Sequence, residues 1–162
     1  MALIGLLSDS HGEWLRTRKA VQLLRDRGCE RLIHLGDVET NEVLDELAGT
    51  NITLVFGNCD SVTRLFKYAI AMGIEVQHPA GVIQIDNISI AFLHGDDTNQ
   101  FYKFVEDPSI DVVVYGHLHE TRDEMVNNTR CINPGALHRA SRYTVAIFDS
   151  LNRTVEFLEV NE

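Results

Sequence analysis

Apolar positions along the chain follow two rhythms. Residues 2–8, ALIGLLS, are apolar almost without a break, as in a strand covered on both faces. Residues 13–28, EWLRTRKAVQLLRDRG, place Trp14, Val21 and Leu24 at helical spacing, with Leu15 beside them and Gly28 as the stop. RLIHLGD (31–37) reads as a second strand, ETNEVLDELAG (39–49) as a second helix closed by Gly49, and ITLVFGNCD (52–60) as a third strand. Such alternation predicts βαβ units and a parallel sheet. The rhythm then changes. GVIQIDNISIAFLHGD (81–96) reads as a hairpin turning at Asp86 and Asn87. DTNQFYKFVEDP (97–108) reads as a helix with Phe101, Phe104 and Val105 on one face and Pro108 beyond its end. DVVVYGHLH (111–119) is another apolar strand, and TVAIFDSLNRTVEFLEV (144–160) a closing hairpin that turns near Asn152. No repeat, linker or low-complexity segment interrupts the pattern. The expectation is one α/β domain over residues 1–162, with two mixed sheets packed face to face and helices outside.

Composition narrows the function classes. A chain of 162 residues suffices for one domain with a substantial core, and 44% hydrophobic with 23% charged residues is ordinary for a soluble protein. The net charge of −10 argues against stable nucleic-acid binding, which needs Lys and Arg to neutralise phosphates. An anionic substrate is then expected to be small, and held at a site charged by something else. Cys29, Cys59 and Cys131 form no C-x-x-C pair, so no disulfide framework is expected. MALIGLLSDSHG has no basic segment before its short apolar run, which reads as neither signal peptide nor membrane span. A cytoplasmic location follows as an expectation, and the glycosylation patterns at Asn51, Asn87 and Asn127 then carry no meaning.

Five of these strands end in polar clusters: DSH (9–11), GD (36–37), GNCD (57–60), HGD (94–96) and GHLH (116–119). Ligands of open α/β sheets sit beyond the carboxyl ends of the strands, so the five ends are expected to share one rim. That rim gathers Asp9, His11, Asp37, Asn58, His94, His117 and His119. Imidazoles and carboxylates with one amide oxygen suit Mn²⁺, Zn²⁺ or Fe, and lack the thiolates of a structural zinc site. Two divalent ions set against Asp9 and Asp37 would leave the rim positive on an acidic protein. Each cluster alone has a plainer reading. GD is an ordinary turn, Ser10 or His11 is a natural cap for the helix that follows, and GHLH suits a strand end with two satisfied rings. The ordered set favours chemistry. His34, His78 and His138 lie outside it and read as core or surface.

In that order the motifs resemble those of calcineurin-like metallophosphoesterases: D-x-H, G-D, G-N-H-[DE], H and G-H-x-H, here spanning Asp9 to His119. The short chain, GNCD and the late NPGAL (133–137) are similar to the small bacterial and archaeal phosphodiesterases of the YfcE type. The resemblance implies a four-layer αββα sandwich around a dinuclear centre. It implies that Asp9, His11, Asp37 and His119 hold one ion and that Asp37, Asn58, His94 and His117 hold the other. Mn²⁺ is the expected metal, with Zn²⁺, Fe or Ni²⁺ as alternatives. A hydroxide shared by the ions would attack a small phosphodiester in line, and no protein nucleophile is needed.

One departure is visible. Cys59 stands where the superfamily has a His credited with stabilising the transition state or protonating the leaving group. A thiol is a weak donor, so poor leaving groups are expected to suffer. Asp60 reads either as a partner that orients an imidazole or as a turn residue. Arg139 and Arg142 read as surface or interface charges, with contact to phosphate as the alternative. The same resemblance leaves open a phosphomonoesterase, a dinucleoside polyphosphate hydrolase, a scaffold like the retromer subunit, and a homo-oligomer. No membrane partner is implied.

Overall fold

Strands that are apolar on both faces need cover on both sides, and the chain supplies it in four layers. The computed structural model describes residues 2–161. Its first half comprises β1 (Leu3–Leu7), α1 (Trp14–Asp26), β2 (Arg31–His34), α2 (Asn41–Leu47), β3 (Ile52–Leu54), α3 (Val62–Ala71) and β4 (Glu75–Val76). Then follow β5 (Ala80–Ile85), β6 (Ile88–Leu93), α4 (Thr98–Glu106), β7 (Val112–Tyr115), β8 (Thr121–Val126), β9 (Thr129–Pro134), β10 (Thr144–Asp149) and β11 (Thr154–Glu159). One sheet has the order β11-β10-β1-β2-β3-β4, the other β5-β6-β7-β9-β8.

Successive side chains of β1 split between two cores. Leu7 joins Val21, Leu24, Leu44 and Leu65 beneath α1, α2 and α3, whereas Ile4 and Leu6 meet Ile90, Phe92 and Val114 of the second sheet. On the far side of that sheet Leu93, Val113 and Tyr115 pack with Phe101, Phe104 and Val105 of α4. The layers are therefore helices, sheet, sheet, helix, the sandwich the motifs implied. β1, β2 and β3 run parallel, as do β6 and β7, which brings their carboxyl ends together on one rim.

Some elements differ from the sequence reading. In α1 the buried face is Thr17, Ala20, Val21 and Leu24, while Trp14 and Leu15 are exposed. Trp14 instead lies beside the Arg18 guanidinium, 5.3 Å from its ring centre. α3, β4 and the β8–β9 hairpin carried no clear signal. α3 buries only Leu65 and Ala69 and exposes Phe66 and Ile70, so apolar and buried positions do not coincide there. β8 is an edge strand whose first five residues are exposed, so alternation has nothing to report. The turn at Asp86 and Asn87 has positive φ at both residues, as a two-residue hairpin loop of the expected type requires. Among the described residues no helix is long and apolar enough to cross a membrane.

Leu24 is fully buried between α1 and the first sheet. Leu24→Ala should cost about 2–5 kcal/mol, read as a lower urea midpoint at unchanged m-value. Trp14→Ala should cost well under half of that.

Candidate metal centre

Each rim residue is delivered by a sharp change of backbone direction at the end of a strand. Asp9, His11, Asp37, His117 and His119, five of the seven candidate ligands, have positive φ. That region costs a non-glycine residue of the order of 1–3 kcal/mol and persists only where the surroundings hold it. Close packing leaves no room for side chains between the loops. A Cβ on Gly57 would collide with the Asp37 carboxylate, and one on Gly116 with Ser8 Oγ and the Asp9 carboxylate. The helix-cap reading of DSH fails. The N-cap of α1 is Glu13, which makes no side-chain cap bond; Ser10 accepts from Glu13 N–H at its carbonyl at 2.8 Å, and its hydroxyl accepts from the Thr17 hydroxyl at 2.9 Å rather than from a backbone N–H of the first turn.

The imidazoles are aimed by their outer nitrogens. His94 Nδ1–H donates to the Leu35 carbonyl at 2.6 Å, His119 Nδ1–H to the Arg139 carbonyl at 3.3 Å, and His11 Nδ1–H to Glu39 Oε1 at 2.8 Å. Tying back Nδ1 leaves Nε2 facing the centre. Asp9 Oδ2 is held by the Ser8 hydroxyl at 2.6 Å and the His117 N–H at 3.0 Å. Asp9 Oδ1, by contrast, is buried with no hydrogen-bond partner, 3.3 Å from His119 Nε2 and 3.6 Å from His11 Nε2. An orphaned carboxylate oxygen converging on imidazole nitrogens is a donor set that a divalent cation completes.

Two of the three groups of potential ligand atoms are Asp9, His11 and His119, and Asp37, His94 and His117. Asp37 Oδ2 lies between them, 3.5 Å from His11 Nε2 and 3.2 Å from His94 Nε2, while Oδ1 accepts from Cys59 N–H at 2.9 Å. Asn58 Oδ1 is 3.0 Å from His94 Nε2. All seven candidates therefore share one rim, and the Cys59 sulfur also comes within 4.8 Å of ligand atoms of His11 and Asp37.

Without an ion, protons take its place. The Asp9 carboxylate beside its ring first, with Glu39 and Asp37, raises His11 to about 9. Burial opposes ionisation of Asp37, yet the hydrogen bond and charge of His94 hold it at about 2. Burial likewise opposes a charge on His94, but the bond to Asp37 pushes its pKa above the ordinary value.

Several supporting residues were not legible as such. Glu39, two places after Asp37, fixes the His11 ring, and its acidic character in G-D-V-E was the available signal. Asp60 orients no imidazole. Its carboxylate accepts N–H bonds from Gly57 at 2.9 Å, Asp37 at 2.9 Å and Glu39 at 2.8 Å, so it locks one ligand loop to another. His34 is wholly buried. Its Nδ1 accepts from Gly36 N–H at 3.2 Å, so Nε2–H donates to Ser10 Oγ at 2.8 Å, and burial lowers its pKa to about 4. Asn133 donates to the Gly116 carbonyl at 2.8 Å and steadies the GHLH loop. His138, read as core or surface, stands at the mouth, its ring centre 5.3 Å from that of His11.

The model of the calcineurin-like phosphoesterase superfamily domain matches residues 2–153. The chain belongs to this superfamily. Phosphodiesterase MJ0936 of Methanocaldococcus jannaschii is 29% identical over 136 residues, 82% of each chain. The solved structure of an archaeal phosphodiesterase is 27% identical with a TM-score of 0.86, covering 97% of this chain and 99% of that one. YfcE, a phosphoesterase from E. coli, shares the fold at 19% identity and a TM-score of 0.72, over 98% of this chain and all of its own. Vps29 of Entamoeba histolytica shares it at 16% identity and a TM-score of 0.63, over 98% and 99%. As a calcineurin-like phosphoesterase the chain is a metal-dependent hydrolase of phosphoric esters, and the donor set above fits the divalent ions such enzymes use.

Two outcomes are expected. Glu39→Gln should weaken divalent-ion affinity about 10–100-fold in calorimetric titration, because it loosens the His11 ring and lowers its basicity. His11 carries a proton below about 9 in the metal-free protein, so an ion must displace it. Affinity should therefore fall as pH is lowered, and binding should release protons, seen as a heat that varies with the buffer.

Proposed function

We propose that the chain hydrolyses small phosphodiesters with two divalent ions. Asp9, His11, Asp37 and His119 hold one ion, Asp37, Asn58, His94 and His117 the other, and Mn²⁺ is the expected metal. The orphaned Asp9 Oδ1, buried among imidazole nitrogens, is the observation that carries this reading. When bound, such ions acidify water at neutral pH and neutralise charge on the phosphoryl oxygens. The residues of the chain set the stage. Asp37 faces both half-sites, His11, His94 and His119 are fixed through Nδ1, and Asn58 adds an uncharged oxygen beside His94. The chain acts as one domain, since loops of both sheets supply the donors.

Cys59 does not act as nucleophile. Burial, and then the charges of Asp37 and Glu39, push its thiol up, so it keeps its proton at neutral pH. A phosphodiesterase among the relatives favours diesters over monoesters. The likeness to Vps29 is one of fold, and a coordinating side chain at each of the seven positions supports hydrolysis over a scaffold role.

Metal analysis of the purified protein should give two ions per chain. Bis-aryl phosphodiesters should be cleaved faster than aryl monoesters when Mn²⁺ is added, and activity that survives exhaustive chelation would overturn the mechanism. Asp37→Asn should nearly abolish turnover while the thermal midpoint of the metal-free protein changes little. Retained hydrolysis with normal metal content would show Asp37 misassigned. Cys59→His should raise the rate on alkyl leaving groups, towards the roughly 10²–10⁴-fold that general-acid help supplies. Cys59→Ser should change little.

A further inference from the structure

Two cavities abut the centre, one at each half-site. Asn58, Asp60, His78, His94, Asp96 and Asp97 line one of about 370 Å³. The other, about 470 Å³, opens on His119 and is lined by Thr121, Ser141, Arg142, Phe157 and Glu159 among others. A diester has two arms, and in-line displacement sends the leaving oxygen away from the attacking one. The two cavities offer those arms different surroundings. The first carries three carboxylates, whereas the second combines a phenyl ring, a guanidinium and hydroxyls with the two carboxylates of Glu120 and Glu159.

Two features of the second cavity point to an occupant. Phe157 lies on the same face of β11 as Val155, which packs against the core between the sheets. It is nevertheless 37% exposed, paired across the ladder with the small Ala146. Arg142 has no hydrogen bond or ion pair among the described residues. Glu120, also on the wall, is already paired with Arg122 at 2.8 Å. A partly exposed phenyl ring and an uncommitted guanidinium are groups on which a flat heteroaromatic ring stacks, and the Thr121 and Ser141 hydroxyls can meet its polar edge. The volume lies in the range of small-molecule sites of about 300–1,000 Å³.

We propose that Phe157 and Arg142 form a subsite, adjoining His119, for a nucleoside arm of the diester, the arm that stays on phosphorus when the other departs. The inference rests on the phosphodiesterase reading above. It makes the two arms unequal: the retained arm is recognised by stacking, and the departing alcohol faces the acidic cavity.

The test compares two diesters with the same leaving group in Mn²⁺, the p-nitrophenyl ester of thymidine 5′-monophosphate and methyl p-nitrophenyl phosphate. The ratio of their kcat/KM values isolates the retained arm. It should exceed about tenfold in the parent protein and fall by about tenfold in the Arg142→Ala, Phe157→Ala double variant. Phe157→Leu keeps apolar bulk and removes the ring, and should show most of the loss without a lower thermal midpoint. A second readout needs no turnover. Thymidine 5′-monophosphate titrated into metal-free protein should bind at least about tenfold more weakly to the double variant. Cleavage of the methyl ester with a ratio near one, or a ratio unmoved by the variants, would overturn the subsite and leave the phosphodiesterase reading intact. Failure to cleave either ester would overturn that reading, and the titration would then decide the subsite alone, with equal affinities rejecting it.

Discussion

A carboxylate oxygen in a dry interior needs a hydrogen bond or a positive charge, and the centre is organised around one that has no hydrogen bond among the described residues. Asp9 Oδ1 is buried without a hydrogen bond, 3.3 Å from His119 Nε2 and 3.6 Å from His11 Nε2, while its sister oxygen accepts from Ser8 and His117. In such surroundings an uncompensated charge costs several kcal/mol, so the arrangement calls for positive charge beside it, from an imidazolium or a bound cation. Neighbouring features serve that end. The tied-back imidazoles, the Asp37 carboxylate between the two groups and the left-handed residues at the loop tips all point polar atoms inward. The stability of the two sandwiched cores is what sustains those backbone conformations.

The layers of helix and sheet were legible because burial wrote itself into the sequence. Strands covered on both faces, such as β1 and β7, are unbroken apolar runs, and α4 shows its buried side as Phe101, Phe104 and Val105. The elements that were not legible bury little. β8 lies at an edge with its side chains in water, and α3 exposes Phe66 and Ile70 while burying Ala69. Trp14 misled for a similar reason. Its size suggested a core position, but the aromatic ring covers an Arg side chain at the surface.

Of the site, the candidate donors that the structure brings to one rim were visible because their chemistry is confined to a few residue types placed after strands. The supporting residues were hidden because they act through the backbone. Asp60 binds three amide groups, and Asn133 binds a carbonyl, so neither role depends on a recognisable partner side chain. His34 ends β2, three residues before Asp37, where a polar residue looks like an exception to a buried pattern. His138 reaches the mouth only because the chain returns across the rim after β9.

The division of the donors between the two sheets has a mechanical consequence. Asp9, His11, Asp37 and Asn58 follow strands of the first sheet, and His94, His117 and His119 follow strands of the second. An ion held from both sides would be a rivet across the seam of the sandwich, joining His11 to His119 more than a hundred residues along the chain. Its binding energy then opposes any parting of the layers, by an amount that grows with the logarithm of free metal concentration. The same atoms that serve hydrolysis would make the durability of the fold a function of the metal supply around it.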